Sequence, residues 1–436
     1  MGSKRTISRT VEFFLTAFGV WPGAPIFYRM FSVFLLGTTV LLHCWYIMMH
    51  FNLDNLFNLM DCLSSFLAFL KVTCNIIIFT LKYQKFNEIL TTIMEDWDDC
   101  GNSDVALREV TNKAKLSSRI SNGLILLHTF GGLAYVISIL LIVIEVDVTD
   151  QSMDEIPFMM KMEYPFVINT QRKYRLVLVT QFIGVMLCTW GAGLFNGLFL
   201  TLTLHVGSQI NILLYSLTAI GSKDIRKKDS FLTVMTKIIE KHKKIIILSE
   251  NIENVFAPIS LMKFLSNTTM ICSLGFLIVT ALDGPGAAEK ILRSLTFFCV
   301  TNVEAFILCF AGEYMSNKSK EIGNAAYNSS WYDMNVKNSR LLLFIILRSQ
   351  KQLQFTAGKM VVLSLECFTN VRYVITKDIN ILIKSFIYFF ISNDDNIIIV
   401  QSRLFIIQNC LCRHIIIIIM RIYFSLLLIK AIFYRL

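Results

Sequence analysis

The chain has 436 residues, of which 55% are hydrophobic and only 17% charged, which is more apolar surface than a soluble fold of this size needs. Its formal charge of +10 does not indicate nucleic-acid binding, because the basic residues are spread between the apolar blocks and form no single stripe or tail. The composition therefore predicts an integral membrane protein in contact with lipid and disfavours a nucleic-acid-binding protein.

Six apolar blocks are long enough to cross a bilayer as helices, which takes roughly 20 residues. They cover residues 30–51, 62–81, 123–144, 176–204, 259–282 and 294–312. The first block is too long for the apolar core of a signal peptide and has no small-residue cleavage site behind it, so we expect residues 1–29 to remain as an N-terminal segment. A seventh helix is predicted to begin within residues 355–370. The fold class is thus an all-α membrane protein, a seven-transmembrane helix bundle.

The distribution of lysine and arginine predicts the orientation of the chain, because these residues are retained on the cytoplasmic side. The segments that share a side with the N-terminus carry 24 of them, whereas the opposite segments carry 6. We therefore expect a cytoplasmic N-terminus and, with seven crossings, an extracellular C-terminus. This is the reverse of a G-protein-coupled receptor, and neither Asp-Arg-Tyr nor Asn-Pro-x-x-Tyr occurs.

Three ionisable side chains fall inside the predicted spans, where a charge costs about 3 kcal/mol on translocon scales. They are Lys71, Lys263 and Glu304. Lys263 is close enough to a helix end for its ammonium to reach the membrane surface, whereas Glu304 near mid-span is the better candidate for a functional polar contact. Glycines such as Gly193 are expected to allow close helix contact. The histidines and cysteines show no metal-ligand spacing, and no nucleophile elbow or phosphate loop occurs. We therefore expect no enzyme, no metal and no cofactor.

Motifs near both ends of the chain point to one family. The N-terminal motif consists of Leu15, Gly19 and Trp21-Pro22. The C-terminal motif consists of Gly312-Glu313-Tyr314, Ser319, Ile322, Ala326-Tyr327, Trp331-Tyr332, Arg348-Ser349-Gln350-Lys351, Thr356-Ala357-Gly358 and Leu363-Ser364. Together they resemble the signature of insect odorant receptors. One departure is Gln352, where that family usually has a proline that stiffens the turn before the seventh helix.

The resemblance implies a tuning subunit of an odorant-gated, non-selective cation channel. Such subunits assemble with the co-receptor Orco, as a hetero-oligomer that is expected to be a tetramer, in the plasma membrane of olfactory sensory neuron dendrites. They bind small volatile odorants in a cavity among the second, third, fourth and sixth helices. Their cytoplasmic segments form an anchor, which here corresponds to residues 313–354. The basic stretch of residues 223–255 is consistent with a helix that continues a span into this anchor, or with a solvated face near lipid head groups.

In the anchor segment, the spacing of Ser319, Ile322, Ala326, Tyr327 and Trp331 at three to four residues predicts one helix face that needs a partner. Large aromatic rings between small residues suit a subunit interface, and packing within the chain is the alternative. The interface candidates are Tyr327, Trp331, Tyr332, Arg348 and Gln350.

An odorant site should be mainly hydrophobic and aromatic, with few polar groups. If residues 30–312 carry the ligand cavity in their outer half, the predicted spans offer a set of candidates there. These are Phe66, Phe69, Tyr135, Ile139, Phe182, Met186, Phe298 and Thr301, accompanied by Ser65, Ser138, Val185 and Phe297. Each of them could instead face lipid or pack in the core.

The last 66 residues do not follow the family pattern. Residues 371–436 contain 19 isoleucines and neither glycine nor proline. This bias resembles translated AT-rich non-coding DNA, so we expect a retained intron or an annotation error. The alternative is that Lys384-Ser385-Phe386-Ile387-Tyr388-Phe389-Phe390 is a diverged pore helix.

Two other functions remain open. A gustatory-type receptor working as a homomer would lack the Trp331-Tyr332 pair and the run from Arg348 to Lys351. A multi-span transporter typically shows internal repeats and helix breaks in corresponding positions, and we find no repeat.

Overall fold

The computed structural model describes residues 6–50, 56–101, 103–143, 158–220, 231–281, 287–329, 331–333, 336–370 and 372–373. Nine α-helices follow one another within these ranges. They are α1 (Arg9–Ala17), α2 (Ile26–Met49), α3 (Leu56–Leu81), α4 (Tyr83–Cys100), α5 (Asp104–Val143), α6 (Gln171–Ala219), α7 (Phe231–Thr280), α8 (Ala287–Tyr327) and α9 (Val336–Gln350). A 3₁₀ turn (Trp331–Asp333) precedes α9, and an antiparallel hairpin of β1 (Thr356–Ala357) and β2 (Val361–Val362) follows it.

Six of these helices are long and apolar enough to cross a membrane, namely α2, α3, α5, α6, α7 and α8. Each holds the main part of one predicted apolar block, which confirms the helical membrane fold. At about 1.5 Å per residue, the 49 residues of α6 and the 50 of α7 are much longer than a bilayer requires. The basic stretch from 231 onward is part of α7, as predicted, while residues 223–230 lie outside the described part.

The long helix α6 occupies the centre of the bundle. Its side chains are buried without interruption over residues 193–210, so neighbours surround it on every side. It packs closely against α5, where a methyl group at Gly193 would lie only 2.9 Å from the Ile125 Cα. This confirms the predicted role of Gly193, because any larger side chain would push the two helices apart.

The N-terminal motif forms a tight turn between α1 and α2. Gly19 adopts φ +70°, and a Cβ there would collide with the backbone of Arg29. The buried Leu15 lies in the last turn of α1, and its carbonyl oxygen accepts from the Val20 and Trp21 amides at 2.8 and 3.2 Å. The residues of this motif therefore serve the geometry of the turn.

A buried polar cluster ties the N-terminal segment to α4, α6 and α7. The Trp97 indole donates to the Thr6 hydroxyl at 2.6 Å, and Thr6 lies 3.3 Å from His205 Nδ1. His205 Nε2 is 3.0 Å from the Asp96 carboxylate, which also pairs with Lys244 at 3.0 Å. Burial raises the pKa of Asp96, but the hydrogen bond and charge of His205 and the charge of Lys244 outweigh it, so the net pKa is lowered.

Pro258 lies inside α7 and deprives one backbone carbonyl of its usual donor within the helix. Because proline has no N–H, the Asn254 carbonyl lacks its usual helical donor. The Lys82 ammonium, at the junction of α3 and α4, donates to this carbonyl. One turn on, the Ala257 carbonyl accepts from the Gly358 amide at 2.8 Å, which fixes the β-hairpin against α7.

Replacing Lys82 by methionine is expected to destabilise the protein by about 1–2 kcal/mol, because the Asn254 carbonyl then has no donor in a half-buried position. The measurement is thermal unfolding in detergent. Pro258→Ala restores an N–H at this position, so Lys82→Met should cost clearly less in a Pro258→Ala background. Equal losses in both backgrounds would contradict this assignment.

The β-hairpin leads into the segment where the seventh helix is predicted. The Glu253 carboxylate accepts from the Thr356 amide at 3.1 Å and from its hydroxyl. Residues 365–370 are helical, and the Ser364 side chain accepts from the Cys367 amide at 3.1 Å, as an N-cap residue does. The Thr-Ala-Gly and Leu-Ser motifs thus place and start this helix. Residues 372 and 373 are helical as well, and residues 374–436 lie outside the described part.

Candidate ligand cavity and buried charge network

A cavity with about 710 Å³ of empty space, part of it open, lies between α3, α5, α6 and α8. Its lining consists of Ser65, Ala68, Phe69, Lys71, His128, Gly131, Gly132, Tyr135, Met160, Val185, Cys188, Thr189, Ala192, Phe297, Val300, Thr301 and Glu304.

Most of the cavity wall is apolar, and its hydroxyl groups are already engaged. Tyr135 and Phe297 meet edge to face, with ring centroids 6.4 Å apart. The Tyr135 hydroxyl donates to the Met159 carbonyl at 2.9 Å, and Thr189 and Thr301 donate to carbonyls of their own helices at 2.9 Å each. The wall therefore offers contact area to a ligand but few free donors.

Three of the eight residues predicted for the odorant site line this cavity: Phe69, Tyr135 and Thr301. Three others, Phe66, Met186 and Phe298, are buried or half-buried outside the lining. Phe182 is more than one-third exposed and does not line the cavity either. The side chain of Ile139, like that of Ser138, lies outside the described residues. Whether these residues contact an odorant stays a prediction.

The segment before α6 covers one side of the cavity, and a buried glutamine holds it there. The Gln181 Oε1 accepts from the Met159 amide at 3.0 Å, while its Nε2 donates to the Met160 carbonyl at 3.1 Å and to the Tyr164 hydroxyl at 2.8 Å. Sequence reasoning missed Met160 and Gln181. A glutamine inside an otherwise apolar block was the available signal.

One part of the cavity wall is charged. The Lys71 ammonium contacts the Glu304 carboxylate at 2.5 Å and donates to the Asn267 Oδ1 at 2.7 Å, and all three residues are almost fully buried. These residues come from α3, α8 and α7. The ion pair therefore connects three helices, and its partners compensate each other's loss of hydration.

The remaining members of this network come from α5, α6 and α7. Asn196 donates to Glu304 Oε1 at 2.9 Å and accepts from the Lys263 ammonium at 2.5 Å. His128 Nε2 lies 3.6 Å from the same carboxylate oxygen, beyond hydrogen-bonding distance. Six side chains from five helices thus form what we call the charge network: Lys71, His128, Asn196, Lys263, Asn267 and Glu304.

The charge network corrects one prediction and extends another. Lys263 does not reach the membrane surface, because it is buried and bound to Asn196. Glu304 has the polar contacts predicted for it. Sequence reasoning missed His128, Asn196 and Asn267, although polar residues inside long apolar blocks were a signal. The sequence of each helix taken alone could not show that these side chains meet at one place in the bundle.

A second ion pair lies at the other end of the cavity. Arg293 on α8 contacts the Asp61 carboxylate on α3 at 2.6 Å, and its guanidinium lies 5.2 Å from the centroid of the Tyr135 ring. The contact over the aromatic face adds a cation–π attraction. This arrangement connects α3, α5 and α8 next to Tyr135, which lines the cavity.

The predicted single face of the anchor segment is wrong, because its residues separate into two groups. Ser319, Ile322 and Ala326 are buried within the chain, and the Ser319 hydroxyl accepts from the Leu353 amide at 2.9 Å. Tyr327, Trp331 and Tyr332, in contrast, are 64%, 41% and 72% exposed. The helix α8 ends at Tyr327, so Trp331 and Tyr332 lie in the following 3₁₀ turn and are not part of its buried face.

Two further anchor candidates lie at the end of α9. Arg348 donates to the Lys351 carbonyl at 3.0 Å, which closes the turn after the helix. Gln350 is exposed. Their side chains therefore remain accessible from outside this chain.

Sequence comparison agrees with the described fold. The family model of the 7tm odorant receptors matches residues 55–374. Putative odorant receptor 92a of Drosophila melanogaster is 33% identical over 114 residues, 26% of this chain and 27% of that protein. Odorant receptor 10 of Aedes albopictus is 29% identical over 178 residues, 40% of this chain and 46% of that protein. These matches span about a quarter to a half of the curated relatives.

The fold also matches a solved receptor. The structure of the insect olfactory receptor OR5 from Machilis hrabei, in complex with eugenol, superimposes with a TM-score of 0.73 at 14% identity. The superposition covers 86% of this chain and 97% of that receptor. The family model alone matches well over half of the chain, and the chain belongs to the insect odorant receptor family.

Proposed function

We propose that this protein is the tuning subunit of an odorant-gated, non-selective cation channel formed with the co-receptor Orco. The observation that carries the proposal is the cavity between α3, α5, α6 and α8, whose mostly apolar wall suits a small volatile molecule. Membership of the odorant receptor family and the eugenol complex of OR5 support the same reading. Phe69, Tyr135 and Thr301 are the proposed contacts of the odorant, with Phe66, Met186 and Phe298 behind them.

The proposed orientation places the N-terminus in the cytoplasm. The 24 to 6 asymmetry of lysine and arginine supports it. In this orientation the cavity opens toward the outside, while the β-hairpin and residues 313–354 lie in the cytoplasm. The proposed site of action is the plasma membrane of olfactory neuron dendrites. Epitope tags at residue 1 should become accessible to antibody only after permeabilisation, and labelling of intact cells would overturn the orientation.

The exposed aromatic residues of the anchor are the proposed contacts to other subunits, together with Arg348 and Gln350. Such rings bury a large area at low entropy cost when a partner covers them. Replacing both Trp331 and Tyr332 by alanine is therefore expected to lower co-purification with Orco at least about tenfold, since interface hot spots each contribute about 2 kcal/mol or more. Phe130→Ala, at an equally exposed ring on α5, is the matched control.

The experiment that tests the proposed function is current recording under an odorant panel, with the full chain expressed alone and together with Orco. A cation current that needs both Orco and an odorant is expected. An odorant-evoked current without Orco would favour a gustatory-type homomer instead. Ligand flux with fixed stoichiometry and no uncoupled current would favour a transporter.

Residues from 371 onward are proposed to be foreign to the receptor. The departure from the family's expected sequence and the isoleucine content support this hypothesis. Sequencing the transcript across the codons for residues 368–374 tests it, and a spliced message that encodes the same residues would end it. In the current recordings, a second chain should carry the pore segment of a related receptor after Asn370. We expect that chain to conduct better than the chain as written.

A further inference from the structure

The charged side of the cavity contains an imidazole nitrogen without a partner. His128 lines the cavity and is only 3% exposed. Its Nδ1 lies 2.8 Å from the Leu124 carbonyl oxygen, so Nδ1 carries a proton and donates. In the neutral ring Nε2 is then an acceptor, and no donor among the described residues contacts it. A buried acceptor without a donor is costly, and a ligand can supply that donor.

The groups next to His128 restrict what this ligand can be. Oε1 of Glu304 lies 3.6 Å from Nε2, so two acceptors face the same space. On the other side of the carboxylate, Lys71 uses two of its three N–H donors on Asn267 and Glu304. The cavity hydroxyl groups already donate to backbone carbonyls. This end of the cavity therefore combines free acceptor positions with one remaining donor.

The charge balance argues against a cationic ligand. Lys71 and Lys263 are both buried beside the single carboxylate of Glu304, so an added ammonium would meet an excess of positive charge. A carbonyl compound could accept from Lys71 but would leave His128 Nε2 unpaired. A hydroxyl group both donates and accepts, so among hydroxyl, carbonyl and ether groups it is the one that serves both sides.

We propose that the cavity binds a small volatile alcohol or phenol, whose hydroxyl donates to His128 Nε2. Its hydrocarbon part packs against Phe69, Tyr135 and Phe297, on the apolar wall. This inference rests on the proposed function of the cavity as the odorant site. It adds the chemical class of the odorant and the residue that selects it.

The test compares three compounds with six carbon atoms and one oxygen atom each, which differ only in the functional group: n-hexanol, hexanal and methyl pentyl ether. Each is added to the purified full chain in detergent, and the dissociation constant is obtained from the rise in melting temperature with concentration. We expect hexanol to bind about tenfold more tightly than hexanal or the ether, because neither of these can donate to the buried nitrogen.

Two variants separate the hydrogen bond from general packing. His128→Leu should remove the preference for hexanol, whereas His128→Gln keeps an acceptor near the same position and should retain it. Thr180→Val removes an exposed hydroxyl of α6 outside the cavity lining, which donates to the Leu176 carbonyl at 2.8 Å, so the ratio between hexanol and ether should persist. The comparison on the unaltered chain stands even where His128→Leu lowers the yield.

The outcomes distinguish this inference from the proposed function. Equal binding of the three compounds, or tighter binding of hexanal, overturns the assignment to alcohols and leaves the odorant cavity in place. A preference for hexanol that persists in His128→Leu overturns the role of His128. No stabilisation by any volatile compound overturns the odorant cavity and this inference together. Absence of odorant-evoked current with the hexanol preference intact overturns only the channel.

Discussion

Glu304→Gln is expected to lower the free energy of unfolding by about 3–5 kcal/mol, the loss typical of a broken buried ion pair. Glu304 is the only carboxylate in the charge network, and it faces the buried ammonium groups of Lys71 and, through Asn196, of Lys263. Glutamine keeps the size of the side chain but removes the negative charge, so both cations remain buried without compensation. Thermal unfolding in detergent and the monodisperse fraction after solubilisation measure the loss.

A second substitution distinguishes electrostatics from packing at this site. Lys71→Met removes the cation in direct contact with Glu304, so the double variant should be clearly more stable than Glu304→Gln alone. Glu88→Gln is the matched control, because Glu88 pairs with Lys85 at 2.8 Å on the exposed side of α4. This control should change stability by less than about 1 kcal/mol. If Glu304→Gln behaves like Glu88→Gln, the charge network has no structural role.

Gly312→Ala is expected to destabilise the protein by about 2–3 kcal/mol, toward the upper end of the usual cost of overpacking. A methyl group at Gly312 would collide with the backbone carbonyl and the Cβ of Leu363. Because Leu363 follows the hairpin and directly precedes the first turn of the helix at 365–370, α8 and this segment cannot both keep their positions. We therefore expect the start of the seventh helix to shift, with a loss of odorant response beyond the loss of folded protein.

Gly123→Ala provides the comparison for this second prediction. Gly123 lies within α5, and nothing lies within 4 Å of the place where its Cβ would be. Alanine there should stabilise the helix by roughly 0.5–1 kcal/mol, as alanine replaces glycine in a helix interior. Melting temperature and surface expression of both variants are measured side by side. A Gly312→Ala protein that melts and responds like the unaltered chain would refute the proposed contact between α8 and Leu363.

The structure places the ligand cavity and the charge network in direct continuity. Lys71, His128 and Glu304 line the cavity and belong to the network, while Asn267 of the network lies on α7. Asn267 also lines a smaller cavity that includes Phe368, near the start of the seventh helix. The charge network therefore extends from the larger cavity to a smaller one next to the start of the seventh helix.

The amino-acid sequence by itself determined the membrane fold, six of its helices and the family. Lengths of apolar blocks are a local property, and the cost of unpaired backbone groups in hydrocarbon leaves helices as the outcome for such blocks. The motif residues could likewise be recognised one by one. Gly19 and Thr356-Ala357-Gly358 prove to form a turn and a hairpin, which depend on neighbours close in the chain.

Only the tertiary structure decided which residues share the cavity and which charges are paired. Phe69, Tyr135 and Thr301 reach the wall while Phe182 does not, because the direction of a side chain depends on how its helix is rotated in the bundle. Lys263 is buried, against expectation, because Asn196 on another helix supplies its partner. Such contacts join residues up to 233 positions apart, as between Lys71 and Glu304, and no local pattern encodes that distance.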